Sequence, residues 1–159
     1  MIARKTSLKR SKFTLKRKSG VKIATGAKAK KKPKTVTKLK KELDTLFSKY
    51  IRAEFPPECY TCGFKGQMQC GHFITRGKHN TRFSEINCHC QCVGCNVFKM
   101  GNKEVYSVNL ERQYGYGILQ KLAKEGNESR CYTIKELQGL IEIYKEKYEN
   151  LADKNLTSL

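Results

Sequence analysis

The chain has 159 residues, enough for one domain with appendages, and carries 33 Lys or Arg against 14 acidic residues, a formal net charge of +19. No apolar run approaches the roughly 18 residues of a membrane-spanning helix, and the start of the chain lacks the apolar centre of a secretory signal. The surplus favours a polyanion, nucleic acid before a membrane surface, because each neutralised phosphate releases condensed counterions. With no export signal a cytoplasmic setting is expected, where the eight cysteines bind metal or stay as thiols rather than pairing.

Residues 1–35 form a basic low-complexity arm with fourteen Lys or Arg and no acid, leaving +5 for residues 36–159. Such a segment buries too little apolar surface to offset its chain entropy. It reads as a disordered, non-specific DNA tether, or as a solubilising tail. Residues 36–58 open with a helical stripe over Thr37–Phe55: Leu39, Leu43, Leu46, Phe47, Tyr50 and Ile51 recur at three- and four-residue steps. Pro56-Pro57 then stops the helix.

Residues 59–102 carry the chemistry. Cys59-x-x-Cys62 and Cys92-x-x-Cys95 have the spacing of four ligands to one tetrahedral zinc; buried free thiols are the plain alternative. Gln67–Ile74 and Ile86–Gln91 read as short strands around a polar loop, Thr75–Ser84, and VGCNVFK after Cys92 turns into a short helix. This order lets His72 and Asn96 face each other across a small cleft. Strand alternation sets Asn87, His89 and Gln91 on the face opposite Cys88, Cys90 and Cys92, so Asn87 and His89 are expected to point away from zinc, toward the cleft. Arg76, Lys78, Arg82 and Lys99 are candidate contacts to the DNA backbone, or solvated charges without a partner, and His79 is a phosphate contact or nothing. Cys70, Cys88, Cys90 and Cys131 read as small buried apolar residues; a second zinc on Cys70, Cys88 and Cys90 is the alternative.

In residues 103–159, Asn102 is placed to cap a helix over Lys103–Gln113, which Tyr114-Gly-Tyr-Gly117 breaks before Ile118–Lys124 resumes. Thr133-Ile-Lys-Glu136 is a capping box for a last helix striped by Leu137, Leu140, Ile141, Tyr144, Tyr148 and Leu151. The expected class is α+β: a zinc-braced ββα finger embedded in a mainly helical domain. Apolar and tyrosine surface on the helices could also form a homodimer interface.

The stretch CGHFITR...RFSEINCHCQCVGCNVFKMGN resembles the His-Me finger (HNH) nucleases and, more closely, is similar to the phage NinG/Rap family of recombination nucleases. The similarity runs from about Thr37 to Leu151 and is specific over Cys59–Asn102. It implies a metal-dependent endonuclease, in the host cytoplasm, acting on branched DNA such as Holliday junctions and D-loops. It implies that His72 is the general base, that Asn87 ties the loop and orients His72, and that Asn96 helps hold a catalytic Mg2+ or Mn2+. The four knuckle cysteines would hold structural zinc, and the product ends would be 5'-phosphate and 3'-hydroxyl. One departure is plain. Many relatives carry an acid just before the histidine, whereas here Gln69, Cys70 and Gly71 precede His72, and Glu85 is the one carboxylate between Cys59 and Cys95. His89, Glu85, an outside carboxylate or waters would have to complete the cation's ligands. Two other functions fit the residues: a non-catalytic zinc module that binds branched or single-stranded DNA, and a sequence-specific nuclease of restriction or homing type.

Overall fold

A computed structural model describes residues 33–157, so the expected basic arm falls, except for its last three residues, outside the described residues. The architecture is mixed and mainly helical: α1 (Val36–Glu54), β1 (Gln69–His72), α2 (His79–Arg82), β2 (Cys88–Gln91), a π-helical turn (Gly94–Phe98), α3 (Lys103–Tyr114), α4 (Ile118–Asn127) and α5 (Ile134–Thr157). None of these helices is long and apolar enough to cross a membrane.

The Thr35 hydroxyl accepts from the Lys38 amide to start α1, whose stripe Leu39, Leu43, Phe47, Tyr50 and Ile51 is buried. That stripe meets α5, where Tyr144 sets its ring edge-on to Phe47 at 4.9 Å between centroids. At the start of α5 the Thr133 amide donates to Glu136 Oε2 at 2.7 Å and the Glu136 amide donates to Thr133 Oγ1 at 3.2 Å, the reciprocal box that the sequence signals.

The two strands form an antiparallel hairpin with Gln69 opposite Gln91, Cys70 opposite Cys90, Gly71 opposite His89 and His72 opposite Cys88. Opposed residues share a face. Cys70 and Cys88 therefore lie with the α1–α5 core, while His89 lies against Tyr106 of α3 at 3.1 Å from its hydroxyl. A second apolar cluster joins α3 and α4 through Tyr106, Leu110, Ile118 and Leu122. The hairpin is thus a partition between two helical layers, with one face serving each.

Three details depart from the sequence expectations. The polar loop holds a short helix, α2, which Asn87 and Tyr132 pin by bonds to its backbone carbonyls. The expected short helix after Cys92 is a π-helical turn. Asn102 does not cap α3 through its side chain; it adopts a left-handed conformation (φ 47°), and its carboxamide reaches the Cys95 sulfur at 3.9 Å.

Candidate active site and zinc knuckle

The chain from Phe55 to Gly66 makes a tight knuckle: the Cys59 amide donates to the Phe64 carbonyl and the Gly63 amide to the Cys59 carbonyl. The turn after β2 makes the other. One sulfur from each of Cys59, Cys62, Cys92 and Cys95 lies within 4.8 Å of all the others. Cys62 and Cys92 are 3.8 Å apart, and thiolates on a tetrahedron of Zn–S bonds of about 2.3 Å would sit about 3.8 Å apart. Donors surround these sulfurs. Burial pushes the Cys59 thiol up, but bonds from the Thr61 hydroxyl and backbone amides outweigh it and bring the thiol down to about 6. The Cys95 amide donates to Cys92 Sγ at 3.4 Å. The four sulfurs could hold a zinc ion.

Gln91 links the knuckle to the hairpin. Its carboxamide nitrogen donates to Gly101 O at 2.8 Å and to Thr61 Oγ1 at 3.2 Å. The side chain reaches them by lying over Gly71, where an added Cβ would stand 2.1 Å from Gln91 Oε1. Glycine is the residue that leaves this path open.

Beside the knuckle a cleft of about 500 Å3 is lined by residues from four elements, including His72, Asn96, Gln69, Arg52, Arg76 and Lys103. His72 Nε2 lies 3.1 Å from the Arg82 carbonyl. A carbonyl only accepts, so Nε2 carries the proton and Nδ1 holds the lone pair. Burial pushes the imidazolium down to about 4, aided by the nearby Arg76 charge and opposed by the Arg82 carbonyl, so the ring is neutral at neutral pH. Asn96 donates to Gln69 Oε1 at 2.6 Å. Lys103 Nζ donates to the His72 carbonyl at 3.0 Å, beneath the same cleft.

Asn87 is fully buried. Its Oδ1 accepts from the Ile74 amide at 2.6 Å, and its Nδ2 donates to the carbonyls of Ile74 at 3.0 Å and Thr81 at 2.9 Å. It therefore ties the exit of β1 to α2, one residue before the carbonyl that holds His72.

Other expected site residues lie elsewhere. His89 does not face the cleft; it is buried against α3, stacked on Tyr60 at 3.9 Å, with its two nitrogens at 3.1 Å from the hydroxyls of Tyr106 and Tyr114. The strand register explains this, because His89 sits opposite Gly71 and so on the face away from His72. Glu85 accepts from Tyr50 and pairs with Lys147, outside the cleft lining. Arg82 is not a free backbone contact: its Nε and Nη2 donate to both carboxylate oxygens of Asp44 at 2.9 and 2.6 Å, and Nη1 donates to the Arg76 carbonyl. His79 Nδ1 donates to the Arg130 carbonyl at 3.0 Å. Arg76 lines the cleft, Lys78 is exposed outside it and donates to Asn127 Oδ1 at 3.3 Å, and Lys99 is exposed outside the lining. The second cysteine group is not Cys70, Cys88 and Cys90, because Cys90 Sγ turns to the Ile51 carbonyl. It is Cys70, His72 and Cys88 that come together. Arg52 and Lys103 are cleft residues that spacing does not reveal, since they enter from α1 and α3, while Gln69 shares β1 with His72 and is marked as a cleft residue only by its bond to Asn96.

The family described as Bacteriophage Lambda NinG protein matches residues 1–154. Among curated proteins, the chain is 33% identical over 98 residues to Protein ninG of Escherichia phage lambda, covering 60% of this chain and 48% of that protein. It is 32% identical over 98 residues to Protein ninG of Salmonella phage P22, with the same coverage. The chain thus spans about half the length of the curated relatives it matches. No solved structure matches it. With the family pattern extending across nearly the whole sequence, the chain belongs to the NinG family of phage proteins.

Proposed function

We propose that the cleft is the active centre of a DNA endonuclease that cuts branched recombination intermediates such as Holliday junctions and D-loops. The observation that carries this reading is His72. It is a neutral imidazole whose proton is committed to a carbonyl, in a cleft whose other charged side chains, Arg52, Arg76 and Lys103, are all cationic. That pairing suits a phosphodiester: Nδ1 takes a proton from water as its oxygen attacks phosphorus, and the fixed cations stabilise the charge that develops on the phosphorane. The 3' oxygen leaves with the electron pair of the broken P–O bond and takes a proton from solvent, which gives 5'-phosphate and 3'-hydroxyl ends. The hairpin, the turn bearing Asn96 and the four-sulfur cluster together support a zinc-braced ββα finger of the His-Me kind. The net charge of +19 supports a nucleic-acid substrate held through its backbone.

A catalytic Mg2+ or Mn2+ fits less well. Among the described residues no carboxylate lines the cleft, and its two carboxamides, Asn96 and Gln69, bond each other. Mg2+ is ordinarily held by one or two carboxylates together with substrate phosphates. The donor set does not fit a resident Mg2+ or Mn2+, and the chemistry above runs on the chain's own cations. The same shortage favours a second reading, a non-catalytic zinc module that binds branched DNA.

The two separate on a synthetic four-way junction, offered beside linear duplex of the same sequence, with and without Mg2+ or Mn2+. Junction cleavage that falls roughly 100- to 10,000-fold in His72→Ala, while binding persists, is the expected result. Binding without cleavage under every condition supports the module. Cuts that follow base sequence on the duplex support a sequence-specific nuclease.

A further inference from the structure

We propose that Cys70, His72 and Cys88 form a second site for a thiophilic divalent cation such as Zn2+, distinct from the four-cysteine knuckle, and that the ion occupies the ring lone pair of His72. The hairpin register sets His72 directly opposite Cys88 and places Cys70 on the same face. One ligand atom from each of the three lies within 4.8 Å of the other two. With Nε2 donating to the Arg82 carbonyl, as the second N–H of a metal-bound imidazole ordinarily does, the ion is assigned to Nδ1, the nitrogen that holds the lone pair.

Three protein ligands leave the fourth tetrahedral position open. Cys70 and His72 line the cleft, so that position faces solvent or substrate, while Cys88 closes the buried side. Binding releases one proton from each thiol to the solvent, the ring nitrogen contributes its lone pair without losing a proton, and no oxidation state changes. The functional consequence rests on the reading of His72 as base. A nitrogen bound to zinc cannot accept a proton from water, so excess Zn2+ switches cleavage off.

The full chain, stripped of metal and titrated with Co2+ or Zn2+, tests the site without reference to activity. Two equivalents are expected for the wild type, counted by native mass spectrometry and by the cobalt–thiolate charge-transfer band. One equivalent is expected for Cys70→Ser and for Cys88→Ala. Retention of the first equivalent and of the helical circular dichroism shows that each variant is folded. A wild type that takes one equivalent, or a Cys70→Ser chain that still takes two, overturns the site. In the junction assay Zn2+ is expected to inhibit the wild type at least tenfold and to leave Cys70→Ser at its own zinc-free rate. Two bound equivalents without inhibition would overturn the switch. Should no cleavage occur at all, the endonuclease reading fails, and the metal count still decides the site.

Discussion

The ring of His72 on β1 and the backbone of Arg82 at the end of α2 are joined by a bond of 3.1 Å from Nε2 to the carbonyl oxygen. The bond selects one tautomer of the histidine and makes α2 part of its orientation. The side chain of Arg82 supplies the other half of the arrangement, because its fork on Asp44 holds α2 against α1. Arg82 therefore acts on the cleft through its backbone, and its guanidinium is taken up by Asp44 and the Arg76 carbonyl.

This relationship separates two arginines six residues apart. Arg76→Ala is expected to lower the salt-dependence slope of junction binding by about one ion, with little change in melting temperature. Arg82→Ala is expected to leave the slope alone and to destabilise the fold by about 2 kcal/mol, since it strips both hydrogen bonds from a partly buried carboxylate. Binding titrations over a salt series, beside thermal melts of both variants, check this.

Gly71 and Gln91 make a steric pair. A Cβ at Gly71 would collide with the Gln91 side chain, and overpacking of this kind typically costs about 1–3 kcal/mol. Gly71→Ala is expected to destabilise the chain by that amount. In a double-mutant cycle, Gly71→Ala combined with Gln91→Ala should cost clearly less than the two separate losses together, because the second change removes the obstacle. Strict additivity in denaturant titrations would refute the clash.

A zinc ion held by the four knuckle cysteines would brace both ends of the segment that carries His72. Removing the metal with a strong chelator, or replacing Cys59 by Ser, is expected to cost on the order of 5 kcal/mol and to lower the melting temperature by roughly 15 °C or more. Elemental analysis of the untreated chain should find tightly held zinc. A metal-free chain with an unchanged melting curve would remove the knuckle from the account.

His89 ties stability to pH. Burial holds its imidazolium at about 4, below the ordinary value of 6.5, so between those values the unfolded chain binds the extra proton and the folded chain does not. Stability is then fully present above about 6.5 and is lost as pH falls toward 4, by up to about 3 kcal/mol. Zinc-saturated wild type compared with His89→Gln at pH 7 and pH 4.5 isolates this contribution. The variant, itself weakened at pH 7 by the loss of a buried stacked ring, should lose less of its stability between the two pH values.

Much of the fold was legible in the residues. The α1 stripe, the α5 capping box and the Cys-x-x-Cys pairs each rest on local spacing, and each lies where that spacing puts it. The orientation of His89 was not legible. Alternation correctly separated it from Cys88 and Cys90, but the side on which the cleft opens depends on how the hairpin sits between α1 and α3. Strand parity alone does not contain that information. The fork between Arg82 and Asp44, 38 residues apart, escaped for the same reason: a basic loop looks solvated until its partner helix is in place. The cleft's dependence on Arg52 and Lys103 is likewise a property of packing between distant elements.

Chemical rescue tests the role of His72 most directly. On a four-way junction, His72→Gly is expected to bind like the wild type and to lose cleavage, and added imidazole should restore cutting in proportion to its unprotonated fraction as pH rises through about 7. A variant that cuts as fast as the wild type without imidazole would show that the proton is taken by some other group.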